Sequence, residues 1–177
     1  MQKNIIEGTK TYLRPLEMDD VSKSYVGWLN DPEVNGFLES RFLKQTKTTV
    51  KKYVSAIKKD KNYLFLAIVI KDGGKHIGNI KLGPINKVHG FAEIGILIGD
   101  KSSWGKGYAT EAIKLLVNHA FKNLGLRKLT AGCYETNVGS IKAFQKAGFL
   151  EEGRFKKHYA YNGKYLDRIC LALFKTE

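Results

Sequence analysis

The chain has 177 residues, 43% hydrophobic and 27% charged, a balance that fits a folded core and excludes a disordered or fibrous protein. No apolar run approaches the roughly 18 residues of a membrane-spanning helix, and Met1 to Lys10 lacks a signal-peptide core, so neither membrane insertion nor secretion is expected. Lys and Arg number 30 against 17 Asp and Glu, a net +13 that attracts nucleic acid, ribosomes, anionic cofactors or nucleotide-linked substrates.

Thr11 to Arg14 reads as a short first strand. Asp19 or Asp20 can cap a helix that carries Val21, Tyr25, Trp28 and Leu29 on one face, and Asn30-Asp31-Pro32 stops it. A second helix spans about Thr46 to Lys59, with Val50, Tyr53, Val54 and Ile57 inward. Lys44, Lys47, Lys51, Lys52, Lys58, Lys59 and Lys61 crowd this segment as its outer face, and no aromatic residues interleave as a base-stacking surface requires. Leu64–Ile70 is a buried strand, Lys71-Asp-Gly-Gly a hairpin turn, and His76–Leu82 its partner. Phe91–Ile98 is the next strand, followed by a helix from about Gly107 to Leu124 and a strand over Lys128–Tyr134. Asn137 can cap a short helix to Ala147, which Gly148 ends, and Phe149–Tyr159 with Lys164–Phe174 form a closing hairpin. This order predicts an α/β (α+β) fold over 1–177, a mixed sheet of about seven strands with helices on both faces. Cys133 and Cys170 make neither a zinc pattern nor a disulfide framework, which implies a reduced, cytoplasmic protein without a metal.

The densest motif lies at Glu93-Ile-Gly-Ile, then Trp104-Gly-Lys-Gly-Tyr-Ala-Thr-Glu-Ala112. Glycines open a helix there, and a helix N-terminus offers unpaired N–H groups and partial positive charge to an anion. The spacing is neither a P-loop nor a dinucleotide fingerprint, since Gly105-Lys-Gly107 is followed by Tyr108, Ala109 and Thr110 without a third glycine.

These residues resemble the acetyl-CoA-binding motif of the GNAT N-acetyltransferases, and within them the RimJ/RimL-type branch. Asn137-Val-Gly-Ser-Ile-Lys-Ala-Phe-Gln-Lys-Ala-Gly-Phe149, Leu13-Arg-Pro-Leu-Glu-Met-Asp-Asp20 and Trp28-Leu-Asn-Asp-Pro-Glu-Val34 resemble further blocks of that family. The resemblance implies a GNAT fold whose two central strands splay apart. Pantetheine would pair with the backbone of Ile96, Leu97 and Ile98, one N–H facing the thioester oxygen. Trp104, Gly105, Lys106, Gly107, Tyr108, Ala109 and Thr110 would hold the pyrophosphate, with Asn137 and Ser140 as further cofactor contacts. Glu93 is the candidate general base and His76 the alternative. Phe144 stands where relatives carry the tyrosine acid, so Tyr134, Cys133 or water takes that role, Tyr134 being preferred. Cys133 has no activating partner, which argues for direct transfer without an acyl-enzyme.

Trp28, Asn30, Asp31, Glu39, Arg41, Phe42 and His76 are the candidate acceptor residues, with Tyr159 and Tyr161 opposite. Arg41 suits a phosphate or carboxylate of the acceptor. The resemblance leaves two acceptors open, a nucleotide-linked amino sugar and a protein N-terminal amine. Polyamines suit a cationic surface less well, no membrane partner is expected, and nucleic acid enters only through the ribosome. Dimers are common in the family, so a homodimer is a further implication. The competing readings are a non-catalytic acetyl-CoA-binding module and a ribosome- or RNA-binding basic protein.

Overall fold

A computed structural model describes residues 5–176. Eight strands form one open sheet: β1 Ile6–Glu7, β2 Thr11–Pro15, β3 Leu64–Ile70, β4 His76–Leu82, β5 Phe91–Ile98, β6 Lys128–Tyr134, β7 Leu150–Tyr161 and β8 Lys164–Phe174, in spatial order β1-β2-β3-β4-β5-β6-β8-β7. Among the described residues five α-helices accompany them: α1 Lys23–Trp28, α2 Pro32–Asn35, α3 Lys47–Lys59, α4 Tyr108–Lys122 and α5 Val138–Lys146.

The strand β1 goes beyond the expected seven or so, because two residues leave no readable period. It is secured by a turn, in which Gly8 N donates to Thr11 O at 2.9 Å. The Glu111 carboxylate of α4 then accepts from Thr9 N (2.6 Å), Lys10 N (3.0 Å) and Thr11 Oγ1 (2.8 Å). The first helix also starts later than expected. Asp20 cannot cap it, because both its oxygens are held by Arg14 at 2.6 and 2.7 Å. Ser22 caps α1 instead, accepting from Tyr25 N at 3.1 Å. Likewise Pro32 begins α2 rather than merely stopping α1, since Asp31 caps that helix and proline suits its first turn.

Two apolar layers cover the sheet. On one face Leu13, Ile68, Ile80, Ile94 and Leu129 pack with Ile113 and Leu116 of α4 and Phe144 of α5. On the other, Ala67 and Val69 meet Tyr25 of α1 and Val50 and Val54 of α3. Each fully buried aliphatic side chain contributes about 1.5–3 kcal/mol, so the helix period of α4 meets the strand period of the sheet on one face and that of α3 meets it on the other.

The crossover through α4 makes β5 and β6 parallel neighbours in a sheet that is otherwise antiparallel. They pair only at Phe91–Lys128, Ala92–Leu129 and Glu93–Thr130. Beyond Glu93, β5 continues along β4 as far as Ile98–Gly78, and β6 continues along β8 as far as Tyr134–Arg168. A wedge-shaped gap opens between them.

Candidate active site

The hydrogen-bond phase of β5 decides what lines the gap. Gly83 N donates to Glu93 O at 2.8 Å, and Gly99 N to Ile77 O at 2.9 Å. Antiparallel pairing alternates, so Glu93, Gly95, Leu97 and Gly99 turn their backbone toward β4, while Ile94, Ile96 and Ile98 turn theirs toward the gap. This corrects one expectation: Leu97 is engaged with Asn79 of β4, and Ile94 joins Ile96 and Ile98 as a gap-facing group. An amide-bearing arm fits this unpaired edge as an added strand would.

At the wide end of the gap the chain forms the anion cradle. Gly105 (φ 73°) and Gly107 (φ 86°) adopt left-handed conformations that favour glycine, and a Cβ at either would point into open space. Among the described residues, no acceptor takes the N–H groups of Gly105 to Thr110. These residues therefore fit a pyrophosphate at the start of α4. Tyr108 and Ala109 pack partly on the core, Lys106 is exposed, and the Trp104 indole donates to the gap-facing Ile98 O at 2.8 Å. Asn137 caps α5, its Oδ1 accepting from Ser140 N at 3.3 Å. Ser140 Oγ lies 3.5 Å from Cys133 Sγ, and burial pushes that thiol up from its ordinary value. Phe144 is buried against Phe149, with ring centroids 5.1 Å apart.

Glu93, the last β5 residue paired to β6, lies on the opposite face from α4. Its Oε1 accepts from Arg168 Nη2 of β8 at 2.9 Å, and Oε2 has no donor among the described residues. The pair spans β6 because Gly132 lies beneath it: a Cβ there would clash with Arg168 Nε and lie 2.8 Å from Cζ. The Arg168 guanidinium also lies 5.8 Å from the Phe155 ring centroid, and its Nε is buried without a partner among the described residues.

Tyr134 ends β6 in an aromatic cluster. Its ring stacks on Tyr159 (3.8 Å, 10°) and meets Phe37 and Tyr161. Arg41 Nη1 donates to Tyr134 Oη at 2.8 Å, and Oη donates to Glu39 at 3.1 Å. Burial raises the phenol from its ordinary value, opposed by the Arg41 hydrogen bond. Arg41 further donates to Leu38 O and Ala160 O and lies 4.2 Å over the exposed Phe42 ring.

The remaining acceptor candidates are engaged elsewhere in the fold. Asn30 ties two loops together through Val26 O, Gln45 O and Gln45 N. Trp28 packs against Gly99, Tyr25 and His76, and His76 Nε2 lies 2.9 Å from both Gly78 O and Asn79 Oδ1. Both are structural contacts of α1 with β4. A cleft of about 560 Å³ runs by Asn30, Arg41, Phe42, Lys44 and Tyr161. A smaller one of about 330 Å³ is lined by Thr130, Gly153, Phe155, Arg168 and Cys170, and Arg168 links it to Glu93. Arg168, Gly132 and Phe37 were not legible as site residues. Only Gly132 carried a signal, a lone glycine within a strand, which marks close approach of another group.

A sequence profile of the acetyltransferase (GNAT) domain family matches residues 10–150. The chain belongs to the GNAT acetyltransferase family. It is 29% identical to the probable N-acetyltransferase YjcK of Bacillus subtilis (strain 168), with 98% of each chain covered. It is 35% identical over 109 residues to the spermidine N(1)-acetyltransferase of Escherichia coli (strain K12), covering 62% of this chain and 58% of that one. Among solved structures, the Vibrio cholerae spermidine N-acetyltransferase in complex with CoA and spermine superposes with a TM-score of 0.84 at 22% identity, covering 94% of this GNAT chain and 96% of that one. Mycobacterium smegmatis RimJ in complex with CoA-disulfide gives 0.80 at 21% identity, covering 97% and 85%. The GNAT fold, with its eight-stranded open sheet, and acetyltransferase activity follow.

Proposed function

We propose that this enzyme moves the acetyl group of acetyl-CoA directly to a primary amine, in the manner of the RimJ/RimL-type branch that its motifs resemble. The observation that carries the reading is the parting of β5 from β6 immediately after Glu93, which leaves a carboxylate beside an unpaired strand edge. Acetyl-CoA supplies the activated thioester. Backbone N–H groups of Gly105 to Thr110 bind its pyrophosphate, and the gap-facing groups of Ile94, Ile96 and Ile98 orient the arm and polarise the carbonyl. The unengaged Oε2 of Glu93 takes a proton from the acceptor ammonium, directly or through one water. Tyr134 Oη returns a proton to the leaving sulfur, its hydrogen bond from Arg41 helping the phenol release it. Cys133 is buried and its thiol is pushed up, which supports transfer without an acyl-enzyme.

The acceptor is a nucleotide-linked amino sugar or a protein N-terminal amine. A polyamine is the second reading, favoured by the spermidine acetyltransferases among the relatives. The test is thiol release from acetyl-CoA against a panel of these three classes, with wild type and Glu93→Gln side by side. Turnover on one class with a loss of about 10²- to 10⁴-fold in the variant is expected. A variant that retains the wild-type rate on the accepted amine overturns Glu93 as the base.

A further inference from the structure

The Glu93–Arg168 pair is more than a brace between strands. Arg168 reaches Glu93 through one nitrogen, Nη2, at 2.9 Å. Its Nε is buried without a partner among the described residues, and Arg168 lines the 330 Å³ cleft with Thr130, Phe155 and Cys170. The acid that lines that cleft, Glu152, is paired with Lys128. Arg168 is therefore the cation that an entering ligand meets there, one hydrogen bond away from the candidate base. A guanidinium presents a planar fork of donors that suits carboxylate and phosphate oxygens, and it stacks on aromatic rings as Arg168 does near Phe155. Gly132 keeps the space over β6 clear for it.

We propose that Arg168 recognises an anionic group on the acceptor, so that the enzyme prefers amines carrying a phosphate or carboxylate over neutral or cationic ones. This rests on the acetyl-transfer reading and deepens it by naming the acceptor's second functional group. The acceptor's ammonium lies at Glu93 and its anion at Arg168, each exchanging part of an existing ion pair for a partner of the same charge. The preference is thus a property of the pair rather than of the net charge of the surface.

The experiment compares matched acceptors: a nucleotide-diphosphate amino sugar with the free amino sugar, and a peptide beginning with Asp with one beginning with Asn. The readout is the ratio of kcat/KM within each pair, for wild type, Arg168→Gln and Gly132→Ala. The second variant keeps the charge but pushes the guanidinium aside with a Cβ, and CoA binding checks that both variants are folded. The two pairs distinguish phosphate from carboxylate as the anion. Wild type is expected to favour the anionic member of one pair by about ten- to hundredfold, and both variants to bring that ratio toward one. A wild-type ratio near one in both pairs, or a preference that survives in both variants, overturns the proposal. Absence of thiol release on every amine overturns the acetyl-transfer reading itself, a result distinct from turnover without preference.

Discussion

Truncating Arg41 to alanine removes the cross-link that ties the 3₁₀ turn Glu39–Phe42 to β6 and β7. Three hydrogen bonds disappear: to Tyr134 Oη at 2.8 Å, Ala160 O at 3.1 Å and Leu38 O at 3.3 Å. The stacking of the guanidinium 4.2 Å over Phe42 goes with them. Each such bond contributes about 0.5–1.5 kcal/mol net, and an exposed cation–π contact about 0.5–1 kcal/mol. The sum overshoots, because Tyr134 Oη keeps Glu39 at 3.1 Å and is not orphaned, while Ala160 is exposed and its carbonyl gains water. The expected loss is about 2 kcal/mol, or roughly 4–8 °C in Tm for a chain of this size. Arg41→Lys retains the charge but not the fork, and about half the loss is expected. Urea or thermal unfolding of Arg41→Ala, Tyr134→Phe and the double variant closes a cycle, whose coupling is expected near 1 kcal/mol. A coupling below about 0.3 kcal/mol refutes the idea that this bond fixes Tyr134 against the turn.

Asp100 precedes the cofactor turn. Burial alone would raise its carboxyl, but hydrogen bonds from Lys75, Ser103 and Ser102 hold it down to about 2. A depressed carboxylate stabilises the fold fully above its unfolded value of about 4 and loses that contribution as the pH falls through about 2. Asp100→Asn is therefore expected to cost about 1 kcal/mol at pH 7, after allowing for the exposed Lys75, and the difference should vanish in acid unfolding near pH 2. Equal stability of the two proteins at pH 7 would refute this. Trp104→Phe frees the gap-facing Ile98 carbonyl and is expected to tighten CoA binding by about threefold in calorimetry, about 0.6 kcal/mol. Weaker binding would show instead that the indole itself contacts the cofactor. Alkylation mapped by mass spectrometry is expected to modify Cys170 before Cys133, which is 3% exposed and has its thiol pushed up by burial. Faster modification of Cys133 would contradict its inert role.

The central strands were readable because their signals are local. Leu64–Ile70 is a continuous apolar run ended by a Gly-Gly turn, and Lys128–Tyr134 alternates between the α4 face and the Glu93 face. Asn137 and Gly148 mark the ends of α5 by cap chemistry that needs no tertiary partner. What was illegible depends on distant groups. Asp20 loses its capping role to Arg14 across a loop, and β1 is secured by Glu111, about a hundred residues away in the chain. The phase that engages Leu97 with β4 is set by Gly83 and Gly99, not by the apolar pattern of β5. Arg168 carries nothing in its sequence neighbourhood to mark it; its meaning comes from the register that sets it beside Gly132 and across from Glu93.

That register bears on the choice of acceptor. A polycation needs carboxylates with free oxygens. The acids around the acceptor face each give at least one oxygen to a donor: Glu39 accepts from Tyr134, Asp31 and Glu33 pair with Lys101, Glu152 pairs with Lys128, and Glu93 accepts from Arg168 through Oε1, which leaves its Oε2 to the reacting amine. Exposed ion pairs of this kind are worth about 0–1 kcal/mol each, so a second cation gains little from any one of them. An anion meets a guanidinium at Arg168 that spends only Nη2 on a carboxylate. The net +13 surface acts in the same direction at long range, raising the local concentration of anionic ligands and lowering that of polyamines. Salt separates these contributions. Steering by the surface weakens over a Debye length of about 8–10 Å, whereas a contact at Arg168 persists. On the proposed reading, raising the ionic strength lowers kcat/KM for an anionic acceptor but leaves most of its advantage over the matched neutral amine. Loss of the whole advantage in high salt would assign the preference to the surface and not to the pair.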